Sequence, residues 1–118
     1  MDFYLLFKIA FLLLFLDFLW INFFLIEHFS NMIQNIQNSP LKVKSDGAIV
    51  AYIILILFAY NFIPKTASVS EAFLLGFLTY AVYDSTNYAT LDKYDAQVAI
   101  MDSIWGGILF ALIKFFIS

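Results

Sequence analysis

Three carboxylic acids stand where hydrocarbon is the rule. Asp17, Asp84 and Asp102 each interrupt a long apolar stretch of the 118-residue chain. Around Asp84 the polar residues are ordered. Gly76, Thr79, Tyr80, Tyr83, Asn87 and Thr90 recur at three- and four-residue steps, which is one face of a helix, with Asp84 at its margin. Asp17 and Asp102 each precede a tryptophan by three residues, as Asp17-x-x-Trp20 and Asp102-x-x-Trp105, so acid and indole share a helix face. Acids buried in a membrane can relay protons, hold a cation, act as acid and base, or grip the polar end of a lipid. Hydrogen-bond donors for them are at hand in Thr79, Tyr80, Tyr83, Thr86, Asn87 and the indoles of Trp20 and Trp105. No lysine lies at their depth: Lys8 and Lys114 fall nearer the opposite face, and the chain has no arginine.

These acids are costly. An ionised Asp at a helix centre costs about 2.5–3.5 kcal/mol, against a gain of roughly 0.3–0.6 for each Leu, Ile, Val or Phe. One acid per helix is tolerable, but insertion never favours it. The acids should therefore face inward, toward water, a cation or donors, and crowded carboxyls without a counter-charge should share protons. A plainer reading competes: buried Asp, Asn and Tyr can simply join helices, with hydrogen bonds of around 0.6 kcal/mol on average.

The elements that must position them are spanning helices. The chain is 64% hydrophobic and 13% charged, against about 45–50% and about 25% in soluble domains. The expected fold is all-α: an integral membrane bundle of four transmembrane helices with antiparallel neighbours, one domain over residues 1–118. The helices are expected at about 3–26, 48–63, 71–91 and 96–117. The first is retained rather than cleaved, because Asp2 replaces a positive start and Asp17 breaks the apolar core of a signal peptide. Residues 27–47 read as a solvated connector with a weakly apolar face at Met32, Ile33 and Ile36. Helix two, with no charge, reads mainly as lipid-facing packing. Gly76, Gly106 and Gly107 read as helix-packing positions, where a missing side chain admits a neighbour's backbone.

Alternating helices make a geometric claim. Asp17 lies ten residues before Glu27, Asp84 eight before Asp92, and Asp102 seven after Asp95. All three boundaries fall at one membrane face, which places the acids in one layer roughly 10–15 Å below it. Lysine bias gives no orientation: Lys8, Lys65 and Lys114 on one side balance Lys42, Lys44 and Lys93 on the other.

Several classes are excluded or weakened. A net charge of −3 with no arginine argues against nucleic acid. No cysteine means no disulfide, thiolate metal site or Cys nucleophile. His28 is the sole histidine and reads as interfacial; no metal-ligand motif or cofactor is expected, and the balance leans away from an enzyme.

At the residues already named, the chain resembles the domain-of-unknown-function 2177 family of small four-helix membrane proteins. The likeness rests on Asp17-x-x-Trp20, on Gly76 to Tyr80, on Tyr83-Asp84-x-Thr86-Asn87-x-Ala89-Thr90-Leu91, and on Asp102-x-x-Trp105-Gly106. Together these span nearly the whole chain in order. The resemblance implies fold and membership, and no activity.

Two functions are expected from the acids. The first is passage of protons or small cations, with Asp84 central, Asp17 and Asp102 flanking it, and Tyr80, Tyr83, Asn87, Trp20 and Trp105 shaping the path. Four small helices enclose little space, so that reading calls for a homo-oligomer. The alternative is a lipid-binding or lipid-modifying protein whose acids and tyrosines hold a polar end and whose aromatic walls hold a tail. A structural subunit of a larger membrane complex is a third reading. In every case the partner common to all is membrane lipid.

Overall fold

The computed structural model describes all residues, Met1–Ser118. Four helices account for nearly all of it: α1 (Phe3–Gln37), α2 (Ser45–Phe62, followed by one tight turn Ile63–Lys65), α3 (Val69–Thr90) and α4 (Ala96–Ile117). There is no strand. Side chains fix three helix starts. Asp2 accepts from the Leu5 N–H at 3.1 Å, Ser68 from Glu71 at 3.1 Å, and Asp95 from Gln97 at 2.8 Å. Asn38, in the left-handed conformation at φ 58°, ends α1.

Cross-helix bonds give the directions. At one end the Asp2 N–H donates to the Tyr60 hydroxyl at 2.7 Å, and Lys114 Nζ lies 3.4 Å from the Pro64 carbonyl. At the other end the Asp95 N–H meets Met32 Sδ at 3.2 Å. Consecutive helices thus alternate direction. Three of them, α1, α2 with its terminal turn, and α4, are long and apolar enough to cross a membrane. α3 has the length, at 22 residues, but Glu71, Asp84, Asn87 and its hydroxyl side chains make it the least apolar of the four. It compensates by packing along α4 more closely than any other pair. Two features lower the cost of its polar groups. Thr79, Thr86 and Thr90 donate back to the carbonyls of Leu75, Val82 and Thr86 at 2.7–2.8 Å, so their hydroxyls are satisfied within the helix. Glycines then let the two backbones meet. A methyl at Gly76 would strike the Gly106 carbonyl and the Phe110 ring, one at Gly106 the Tyr80 ring, and one at Gly107 the Phe73 ring.

The core has two parts. Ile9, Leu13, Ala59, Ile63, Leu109, Phe110 and Ile113 pack at the end that carries the termini. Met32, Tyr94 and Val98 form a smaller cluster at the other. Only 17 residues are buried, and large side chains such as Phe7, Phe11 and Phe18 point outward, as lipid contact requires.

The first helix departs from expectation. The stretch after Ile26 is not a solvated connector: it continues as helix to Gln37 and lays Phe29, Met32, Ile33 and Ile36 on Tyr94 and Val98. One wide π-turn, Ile21–Leu25, joins its halves. Its cause is visible in the spacing. Ile9, Leu13, Asp17, Ile21, Leu25 and Phe29 face inward at steps of four. At roughly 100° per residue, such a row slips around a regular helix by about 40° per step. A single widened turn holds one extra residue, about 100°, which takes up part of the slip accumulated along the row and leaves Phe23 and Phe24 outside.

Candidate functional site

The acids lie between the two core clusters. Asp17, on α1, is buried and fully engaged. The Tyr52 hydroxyl of α2 donates to Oδ2 and the Trp105 indole of α4 donates to Oδ1 at 3.0 Å. The Trp105 ring stacks on Trp20 at 5.2 Å with planes 8° apart, so the two Asp-x-x-Trp segments interlock, each indole lying on the other.

Asp84, on α3, is sealed at 1% exposure. The Tyr94 hydroxyl donates to it at 3.0 Å. Ser103 Oγ lies 3.5 Å away, but its single proton goes to the Ala99 carbonyl at 2.7 Å, so of the two hydroxyls Tyr94 is the donor. Tyr94 stands in the turn between α3 and α4. Burial pushes its phenol above the usual tyrosine value, which keeps it a donor at neutral pH.

Asp102, on α4, adjoins both other acids and faces Asp84 carboxyl to carboxyl. Its third neighbour is the Trp20 indole N–H, which is buried with no hydrogen-bond partner. The three acids therefore form a line, Asp84–Asp102–Asp17, and the groups that hydrogen-bond to its ends are neutral.

Asp102 and Asp17 open onto a cavity of about 670 Å³. α2 and α3 scarcely touch. The space between them is backed by Ile21, Leu25 and Phe29 of α1 and walled by Ala51, Tyr52, Ile54, Leu55 and Phe58 of α2 and by Thr79, Tyr80 and Tyr83 of α3. Ten of its 13 lining residues are hydrophobic. Ile54 and Tyr83, on facing helices, are 61% and 57% exposed and form the lips of a sideways opening.

The structure thus brings Asp17, Asp102, Tyr80 and Tyr83 to one cavity, with Trp20 and Trp105 as a stacked pair against its acids. Asp84 lies behind Asp102, outside the cavity, and Asn87 stands beside Tyr94 rather than on the cavity wall. Gly76, Gly106 and Gly107 form the α3–α4 seam. Helix two is more than lipid-facing packing, because Tyr52, Leu55 and Phe58 face inward. Tyr52, Tyr94 and Ser103 were not legible as site residues from composition. Tyr52 could have been found by the depth argument: it lies seven residues after Ser45, as Asp102 lies seven after Asp95, and it is the sole hydroxyl between Ala48 and Ala59.

Fold and cavity together define a multi-pass helical membrane protein with an acidic, aromatic-walled recess open between two of its helices. Within that class the chain belongs to the family described as "Predicted membrane protein (DUF2177)", whose model matches residues 2–116. No curated protein and no solved structure matches the chain.

Proposed function

We propose that the recess is a binding site for an amphipathic molecule that enters sideways from the lipid. The observation that carries this is the union of an apolar cavity of about 670 Å³, a lateral opening at Ile54 and Tyr83, and carboxyls lining the same space. Small-molecule sites have this character: roughly 300–1,000 Å³, mostly apolar, with a few placed polar groups. A hydrated ion gains little from walls of Leu, Ile and Phe, whereas an acyl or isoprenoid chain fits them.

The chain has no cysteine, so a single nitroxide can be placed at Thr79 through Thr79→Cys. The expected label is accessible to lipid-soluble oxygen and shielded from a water-soluble nickel chelate. The opposite pattern would mean a water-filled path and would reject a lipid site.

A second reading, passage of protons or small cations, is supported by one feature. The sequence Tyr94, Asp84, Asp102, Asp17, Tyr52 runs across the bundle as a row of exchangeable protons. Proton flux in liposomes that disappears in Asp84→Asn is its expected sign; no flux in the wild type rejects it.

A further inference from the structure

We infer that the molecule held in this recess is a cationic amphiphile, with an alkylammonium head seated against Asp17 and Asp102 and a single apolar tail directed toward α2 and α3. The inference rests on the lipid-site reading and specifies its ligand class. Three observations carry it. First, every formally charged side chain on the cavity wall is an acid, and no lysine or histidine lines it. A phosphate, sulfate or carboxylate head would find no cationic partner on that wall, in a medium of low dielectric where an unpaired charge is most costly.

Second, five wall residues are aromatic: Phe29, Tyr52, Phe58, Tyr80 and Tyr83. Ring faces attract alkylammonium groups, by about 0.5–1 kcal/mol when exposed and about 2 or more when desolvated. A mixed acid and aromatic wall is the chemistry that recognises such a head.

Third, Asp102 is the acid on the cavity wall that no phenol holds. Asp17 has a donor on each oxygen, and Asp84 is sealed with Tyr94. Asp102 lines the cavity and receives no hydrogen bond from Tyr52, Trp105 or Tyr94, the phenol and indole donors that serve its neighbours. A cation entering between α2 and α3 meets it without displacing a phenol.

The test uses three probes with one tail: dodecyltrimethylammonium, dodecanol and dodecyl sulfate. Each is titrated below its micellar concentration into the full chain in nanodiscs of zwitterionic lipid. The two tryptophans of the chain, Trp20 and Trp105, both adjoin the acids, so their fluorescence reports occupancy. The expected result is saturable binding of the ammonium probe at least about tenfold tighter than dodecanol, with no saturable binding of the sulfate. Asp102→Asn, nearly the same size, should remove that tenfold preference while leaving helical circular dichroism unchanged. Tyr83→Leu, at the exposed lip, should weaken the ammonium probe more than dodecanol and serves as a second variant if Asp102→Asn does not fold. Equal binding of ammonium and dodecanol, or tighter binding of the sulfate, overturns the cationic assignment and leaves the lipid site standing. Saturable binding of none of the three overturns both.

Discussion

At the residue scale, the site is built from acids whose partners come from other helices. Tyr52 and Trp105 hold Asp17 from two sides, and each bond crosses between helices. Tyr52→Phe leaves one carboxyl oxygen without its donor. It should lower unfolding free energy by about 1 kcal/mol in detergent–SDS titrations followed by circular dichroism. In an Asp17→Asn background the same change should cost measurably less, because the pair is then already altered. Equal cost in both backgrounds would mean that the two residues act independently. Tyr94→Phe should cost more, about 1–3 kcal/mol, since Asp84 is 1% exposed and Tyr94 is its one phenol donor. That cost should be flat with pH up to about 10, the ordinary tyrosine value, because the buried phenol titrates still higher. A cost that fades between neutral pH and about pH 9 would contradict the placement of Tyr94 as a protonated donor. The acids themselves were legible in the sequence, because a carboxyl in an apolar run has few explanations. Their tyrosine partners were not. Tyrosine is common at membrane interfaces, and only the fold separates Tyr52 and Tyr94 from Tyr4 and Tyr88, which stay exposed.

At the element scale, α3 and α4 are held together by close approach at glycine. Gly106→Val puts methyl groups into the Tyr80 ring and should destabilise by about 1–3 kcal/mol or more. Gly47→Ala meets nothing within 4 Å at the start of α2 and should be neutral or stabilising by roughly 0.5–1 kcal/mol. Comparable losses in both would remove the packing account. The π-turn gives a sharper test. If Ile21–Leu25 holds one residue more than a regular helix needs, deleting Phe23 should be tolerated, and Met32 should stay on Tyr94 and Val98. Inserting an alanine there should instead rotate the second half of α1 by about 100° and expose Tyr94 to protease or solvent probes. The four-residue stepping through Leu25 and Phe29 was present in the sequence, but polar Glu27, His28 and Asn31 hid it. Polarity marks where a helix leaves hydrocarbon; it does not mark where the helix stops. The bounds of α4 were readable within a residue because Asp95 caps it.

At the scale of the whole molecule, the arrangement is a thin bundle with a recess, rather than a closed bundle around a pore. The apolar core at the terminal end closes one side, and the Met32, Tyr94 and Val98 cluster closes the other. Between them α2 stands away from α3, and the gap opens toward lipid. The three-acid layer was legible from helix direction and 1.5 Å steps. Its division into a sealed Asp84 and a cavity-lining pair was not, because residue depth fixes height in the membrane and says nothing of rotation about each helix. The recess was likewise invisible, since it depends on which sequential helices fail to pack. The central claim is that this recess holds a single amphiphile. Native mass spectrometry of the protein released from membranes tests it most directly, with Ala51→Trp as the comparison, because Ala51 lines the cavity and an indole there would obstruct it. The expected result is one small amphiphile retained per chain in the wild type and lost in Ala51→Trp. A wild type that emerges empty, or a variant that retains the same mass, would contradict the account.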